Sequence, residues 1–407
     1  MHIFLNALGA STASGLTYLR NVLPHLAASQ DIRTTVAMTA PAQAEFRGVN
    51  GISFANLPHL NGAVTRFWFE QRRLPSLLRE LHVDVLISAG NFALRNSPVP
   101  QILLSGNSLY TSGDFYRDLF ARRGYGLWLD TKVKAGIARK SVKWADRTVA
   151  PTQAFADELR RWTGKAATAI HHGFDHSVFF EDQTPLSQAI QSRLDSAEDC
   201  TKLLYVSHYN YFRNFETLFR ALPLMRETPG GEKVRLFVTC KLQAGENPGA
   251  YKTNSAWSLV KQLGIESEIV QLGAVPYHQL HHLYRSCDVY VTPSYAETFA
   301  HPLVEAMACG LPIVASDLPV HREVCGGAAL YFDVSRPDLL ARSVSRVARA
   351  KELRLRLKLH GLRRALDFSW ASHVGSLLEI AKRLTRGQVC SEEADPSMKT
   401  ADFRAAG

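Results

Sequence analysis

The chain has 407 residues, 46% of them hydrophobic and 21% charged, with a formal net charge of +10 and a pI near 9.3. That length exceeds one ordinary core and points to two or three domains, while the apolar share excludes wholesale disorder. No run is long and apolar enough to span a bilayer. Cys200, Cys240, Cys287, Cys309, Cys325 and Cys390 form no C-x-x-C pair, so they read as reduced core thiols rather than a disulfide framework.

The opening MHIFLNALGASTASGL has no basic leader, and Asn6 and Gly9 interrupt its apolar stretch. It reads as a first strand and not a signal peptide, which makes the cytoplasm the expected compartment. Strand-like runs then alternate with longer amphipathic segments. In the first half the strands are HIFLNAL, TTVAM, DVLISAG, QILLSG, DRTVAPT and ATAIHHG. Helical patterns such as ASGLTYLRNVLPHLAA and TRFWFEQRRLPSLLREL lie between them. The stretch HSVFFEDQTPLSQAIQSRLDSAEDC loses the period, and residues 176–200 are taken as an interdomain link. A second series follows: KLLYVSH, VRLFVTC, SEIVQLG, DVYVTPS, LPIVAS and AALYF. The C-terminal portion from Arg336 is helical, and residues 387–407 read as a disordered polar tail. Alternating short apolar strands and helices mean parallel sheets covered on both faces, and two such series mean two doubly wound Rossmann-like domains, at 1–175 and 201–369.

The positive charge is clumped. Arg122, Lys132, Lys134, Arg139, Lys140, Lys143 and Arg147 face only Asp130 and Asp146, and Arg66, Arg72, Arg73 and Arg79 share a helical pattern with Trp68 and Phe69. Basic helices with aromatics fit an anionic membrane face; they also fit nucleic-acid phosphates, or simply a solvated surface. The pairs His171–His172 and His281–His282 lack a completing ligand at a known spacing, so no structural metal is expected.

The segment YAETFAHPLVEAMACGLPIVAS, from Tyr295 to Ser316, carries the chemistry. Pro302 suits the first position of a helix, with His301 near its N-cap, and Gly310 stands where a left-handed C-cap is wanted. The helix start offers free amides and a positive dipole end to an anion. Glu297 and Glu305 could flank a phosphate-bearing, hydroxyl-rich ligand such as a sugar nucleotide; a dipole-complementing helix carboxylate and a solvated loop charge explain the same spacing. Ligands of doubly wound domains bind beyond the carboxyl ends of strands. Gly9 to Gly15, Asn107, His172–Gly173, His208 to Arg213, Lys241 and Gly273 all fall at such ends, which points to one interdomain cleft.

The run ETFAHPLVEAMACGLPIVASDLPVHREV resembles the E-x7-E signature of the family 4 retaining glycosyltransferases, which have the GT-B fold. Further similarity runs through ADRTVAPTQAFADELRR, AIHHGFDHSVF, LLYVSHYNYFRNFETLFRAL, VQLGAVPYHQLHHLYRSCDVYVTPS and FSWASH, in the family's order. The first 140 residues resemble it only loosely, as befits an acceptor-binding half. The resemblance implies two domains facing across a cleft, with residues 370–386 forming a helix that crosses back to the first. It implies sugar transfer from a nucleotide diphosphate donor to a glycan or lipid-linked acceptor hydroxyl, with retention and without a required metal or cofactor. No nucleic-acid partner is expected.

By the family's pattern Glu297 sits beside the donor sugar and Glu305 accepts from the ribose. The amides of Thr298, Phe299, Ala300, His301 and Leu303 face the diphosphate. Arg213 takes the place of the family's phosphate lysine, and its planar fork suits phosphate oxygens. His208 stands where many members carry arginine, leaving His208 or Lys241 as the second phosphate cation. Gly15 matches one of a glycine pair, and Gly273 lies near the base pocket. Asn107 stands where many members place a histidine, able to bond a sugar hydroxyl or to cap the following turn. The resemblance leaves two rivals: another GT-B reaction, such as a sugar-nucleotide epimerase or phosphorylase, and a non-catalytic basic binding protein.

Overall fold

The computed structural model describes residues 1–387 except 11–12, 59, 61, 228–230, 232, 244 and 248–250, with backbone alone at 13 and 14. Cys390 and the expected tail from 388 onward lie outside the described residues.

The first half runs β1 (His2–Asn6), α1 (Ala13–Ala27), β2 (Arg33–Ala37), α2 (Ala40–Glu45), β3 (Ile52–Phe54), α3 (Gly62–Arg72), α4 (Leu74–Glu80), β4 (Val85–Ala89), β5 (Gln101–Leu104), α5 (Gly113–Ala121), α6 (Tyr125–Trp144), β6 (Arg147–Ala150), α7 (Gln153–Thr163) and β7 (Thr168–Ala169). Then come α8 (His176–Glu181), α9 (Gln188–Asp195), β8 (Thr201–Tyr205), α10 (Phe215–Glu227), β9 (Val234–Val238), α11 (Asn254–Gln262), β10 (Ile269–Gln271), α12 (Leu280–Arg285), β11 (Val289–Thr292), α13 (His301–Ala308), β12 (Ile313–Ser316), α14 (Pro319–Cys325), β13 (Ala329–Phe332), α15 (Pro337–Arg349), α16 (Lys351–Ala365) and α17 (Trp370–Thr385).

The strands form two sheets, ordered β3-β2-β1-β4-β5-β6-β7 and β10-β9-β8-β11-β12-β13, and every pairing is parallel. Each order reverses direction beside its first strand, between β1 and β4 and between β8 and β11. At such a reversal the two outgoing loops diverge and leave a crevice. All twelve strands read from the sequence are present; β3 is the addition, a three-residue edge strand too short and too exposed to show a period.

Packing makes the local differences intelligible. The pattern expected as one helix over TRFWFEQRRLPSLLREL breaks at Arg73, because Pro75 starts a new helix there, and α3 and α4 pack as a bent pair. Of its three aromatics only Trp68 is exposed; Phe69 packs on a core of Phe4, Leu74, Leu78 and Leu86. Residues 176–200 fold into α8 and α9, and Phe179, Leu186 and Leu194 are buried in the core of the second sheet. α17 buries Trp370, Val374, Leu377 and Ala381 against Leu19, Val22, Leu23 and Leu26 of α1.

In α16 the run LRLRLKLH alternates with period two, but a helix turns about 100° per residue. Leu353 and Leu357 therefore face the protein, while Leu355 and Leu359 face outward.

The return of the chain into α17 depends on Gly173. A Cβ there would lie 2.0 Å from the Trp370 nitrogen and 2.5 Å from the Ser369 carbonyl carbon, so two backbones touch where no side chain fits. Gly173→Ala should push α17 off the first domain and cost about 1–3 kcal/mol, the usual range for overpacking. Urea unfolding checks it; an unchanged midpoint would mean that the joint is looser than this contact implies.

Candidate functional site

The two loops that diverge between β8 and β11 carry Arg213 and Glu297, and the two side chains form a direct ion pair. Both are held from behind. The Tyr205 hydroxyl donates to the Arg213 carbonyl at 2.8 Å, and the Asn214 amide side chain donates to the Pro293 carbonyl at 3.1 Å. The Tyr295 amide donates to the Phe212 carbonyl at 3.0 Å, which ties one loop to the other. The Glu297 side chain is 8% exposed and that of Arg213 23%, so the pair sits at the lip of the crevice with little water around it. Arg213 Nε is buried with no partner among the described residues, which leaves the guanidinium a spare donor.

Immediately beyond Glu297 the chain turns into α13. Ala300 is the N-cap, at φ +65°, ψ +65°, and His301 and Pro302 open the helix, one place earlier than the sequence spacing suggests. A left-handed alanine is uncommon and costs roughly 1–2 kcal/mol. Here it swings the chain so that the helix start faces the crevice. Phe299 and Leu303 bury their side chains in the core, so they can offer a ligand only backbone. The Leu303 amide bonds back to the Ala300 carbonyl at 2.9 Å. At the far end Gly310, at φ +68°, closes the helix; its amide bonds the Met307 carbonyl and the Leu311 amide bonds that of Ala306, a Schellman pattern.

Glu305 lies one turn inside α13 and is nearly inaccessible at 6% exposure. One carboxylate oxygen accepts the Tyr284 hydroxyl at 2.7 Å. Burial pushes its pKa up to about 7, the Tyr284 hydrogen bond opposing this only in part.

The other expected residues are more dispersed. Lys241 pairs with Glu246 at 3.0 Å, both about half exposed, and its stem lies over Gly273, whose φ is +78°. His208 is exposed, with its carbonyl accepting from Ser207 Oγ at 2.8 Å. Asn107 caps a 3-10 turn through Oδ1, accepting from the Leu109 amide at 3.1 Å, the local of the two roles open to it. The close approach that Gly15 permits is to Ala10, whose Cα would stand 2.7 Å from an added Cβ.

The two domains meet beside α13. Thr152 Oγ1, at the start of α7, donates to the Thr298 carbonyl at 2.8 Å. Glu323 on α14 accepts from the amides of Gln153 and Ala154 and from His171 Nε2, each at 2.7 Å. Burial alone would raise the Glu323 pKa, but His171 and those amides outweigh it and hold the carboxyl below its ordinary range. His172 stacks between His301, at a centroid distance of 5.2 Å, and Trp370, at 5.5 Å, and its Nδ1 lies 3.1 Å from His301 Nε2. His373 Nδ1 donates to the His171 carbonyl at 2.9 Å, so Nε2 is the acceptor for the Tyr18 hydroxyl, also at 2.9 Å. Burial keeps all three imidazoles neutral: it lowers His301 and His373 to about 4 and His172 well below its usual value.

A second contact comes from α5. Phe115 and Leu119 are fully buried in the core of the second domain. Asp118 accepts the Tyr295 hydroxyl at 2.9 Å, and Arg122 bonds both Asp118, at 2.7 Å, and Glu216, at 3.0 Å. Arg122 is thus an internal tie and not part of the basic surface patch in which the sequence places it. The cross-domain pairs, Arg122–Glu216 and Asp118–Tyr295, are 94 and 177 residues apart in the chain, and no local pattern announces them.

Two family descriptions match the chain: "Glycosyltransferase Family 4" over residues 16–178 and "Glycosyl transferases group 1" over 187–363. The chain belongs to the family 4 glycosyltransferases. A D-inositol 3-phosphate glycosyltransferase of Streptosporangium roseum is 28% identical over 244 residues, 59% of this chain and 55% of that protein. An O-antigen chain mannosyltransferase B of Escherichia coli is 35% identical over 114 residues, 28% of this chain and 30% of that one. The chain thus spans about half the length, or less, of these curated relatives. Among solved structures, sucrose-phosphate synthase of Thermosynechococcus elongatus superposes with a TM-score of 0.70 at 16% identity, over 95% of this chain and 100% of that one. HepE of Anabaena, solved with UDP-glucose, gives 0.68 at 16% identity, over 94% and 100%. The fold is GT-B: two Rossmann-like domains meeting at a cleft.

Glu305 gives the site a pH signature. Its folded pKa of about 7 lies above the ordinary 4.5, so the folded chain holds this proton more tightly than the unfolded one. Stability from this group is complete below about pH 4.5 and is lost as pH rises through 7, by roughly 3 kcal/mol in total. Glu305→Gln should match the parent in urea unfolding at pH 5 and exceed it at pH 8; an equal difference at both values would place the carboxyl in a wetter setting.

Proposed function

We propose that this protein transfers a sugar from a nucleotide diphosphate sugar to an acceptor hydroxyl with retention of configuration, in the assembly of a polysaccharide, glycolipid or other glycoconjugate. The single observation that carries the reading is the Arg213–Glu297 pair at the crossover of the second sheet, beside the start of α13. A diphosphate on that helix start lies in a positive field and accepts from free amides. Arg213 turns its fork from Glu297 to the phosphate oxygens, and its unpartnered Nε supplies one of the donors. Family membership supports the reading, as does the UDP-glucose bound by HepE.

In this mechanism the acceptor hydroxyl attacks from the face the phosphate leaves, and a phosphate oxygen takes its proton. Arg213 and the helix dipole offset the charge growing on the departing diphosphate, so the reading requires no metal. Glu297, released from Arg213, accepts from a donor-sugar hydroxyl and orients the ring. A double displacement through Glu297 is the lesser alternative, since a hydrogen bond to a donor-sugar hydroxyl suffices to account for that residue. Glu305, ionised, accepts the ribose hydroxyls. His208 and Lys241 remain candidates for the second phosphate contact, and the acceptor enters from the first domain, where Asn107 stands.

Acceptor binding at an anionic membrane face fits α6, which exposes Tyr125, Leu129 and Val133 together with Lys132, Arg139, Lys140 and Lys143. Lys140→Ser with Lys143→Ser should lower binding to anionic vesicles about 25-fold, at roughly fivefold per charge. Sedimentation with vesicles reads it, and unchanged binding would discard the patch.

Thermal-shift screening against UDP-, GDP-, ADP- and dTDP-sugars should give one strong stabiliser. Glu297→Ala and Arg213→Ala should each reduce transfer from that donor by at least a hundredfold, the scale of losing a preorganised electrostatic contact, with the fold retained by circular dichroism. Near-normal turnover in both would defeat the site assignment.

A further inference from the structure

The outer face of α16 has no role in the reaction above, yet it is built. Leu355, Leu359, Leu362 and Leu366 are 56%, 55%, 36% and 68% exposed. Their spacing puts them in one stripe, about 16 Å long at 1.5 Å per residue. The opposite face of the helix, Leu353, Leu357, Gly361 and Ala365, is buried. The helix therefore has two apolar faces, of which the protein uses one.

At 100° per residue, Arg356 and Arg363 fall along one flank of the outer stripe and Lys351 and Lys358 along the other. All four are exposed. From Arg342 to Arg364 the sequence carries nine lysines and arginines and one acid, Glu352. Exposed leucines in a row are a liability in water unless something covers them. A two-fold contact with a second copy would set this basic face against itself. An anionic lipid surface meets both features together, because its headgroups neutralise the flanks while the leucines enter the acyl boundary.

We propose that the outward face of α16 docks on an anionic lipid bilayer as an interfacial helix. It goes beyond the transfer reaction, does not depend on it, and concerns a different domain from the α6 patch.

The test uses the full chain with vesicles of phosphatidylcholine alone and of phosphatidylcholine with phosphatidylglycerol, two to one. The parent should partition onto the anionic vesicles only. Arg356→Ser with Arg363→Ser should weaken partitioning about 25-fold at low salt, at about fivefold per basic residue, and flatten its salt dependence. Leu355→Ser with Leu359→Ser should weaken it about tenfold or more, most clearly at high salt, where apolar burial carries the binding. All four positions are exposed, so the thermal unfolding midpoint should hold, and donor-induced thermal shift should stay at the parent value. The proposal is overturned if the parent ignores anionic vesicles, if neither pair changes binding, or if only the Lys140 and Lys143 substitutions do. It also falls if the leucine pair converts a dimer to a monomer while vesicle binding is unchanged. A lost donor shift in the parent would count against the transfer reading alone.

Discussion

A cation and a carboxylate facing each other across the crossover of the second sheet set the terms for the rest of this molecule. Arg213 and Glu297 belong to loops that leave adjacent parallel strands and diverge, so only the sheet order brings them together. Neither is free to wander. Tyr205 and Asn214 fix the first loop, and Tyr295 fixes the second to it. A mostly buried ion pair is a weak source of stability, because desolvation consumes most of the Coulombic gain. Its value here is positional: each group is already in place and largely desolvated, as the proposed transfer requires.

The surrounding structure serves the same end. The left-handed turn at Ala300 aims the start of α13 at the crevice, and the buried Phe299 and Leu303 keep that turn from relaxing. Two of the sets of ties that hold the domains together are built from costly groups. One is the neutral imidazole stack of His172 and His301 with Trp370. The other is the partly buried chain from Tyr295 through Asp118 and Arg122 to Glu216. Both use groups that would be costly to bury alone and are tolerable when each has a partner.

Much of this was legible in the sequence, for a physical reason. Parallel strands buried on both faces must be continuous apolar runs, and the runs from HIFLNAL to AALYF stand out against the helical period. Pro302 and Gly310 mark the ends of α13 through backbone constraints that act locally. What escaped was either weak or distant. Ile52–Phe54 is too short to show a period, and one proline divides what reads as a single helix into α3 and α4. Tyr284 against Glu305, His171 against Glu323 and Asp118 against Tyr295 are separated by 21, 152 and 177 residues. Spacing rules cannot see such pairs; only tertiary packing creates them.

Glu323 has a consequence of its own. Its carboxylate occupies the start of α7, where the Gln153 and Ala154 amides would otherwise be open to any passing anion. The protein thus supplies its own anion to this helix start. A phosphate arriving from solvent finds that start already neutralised by a carboxylate the fold itself provides.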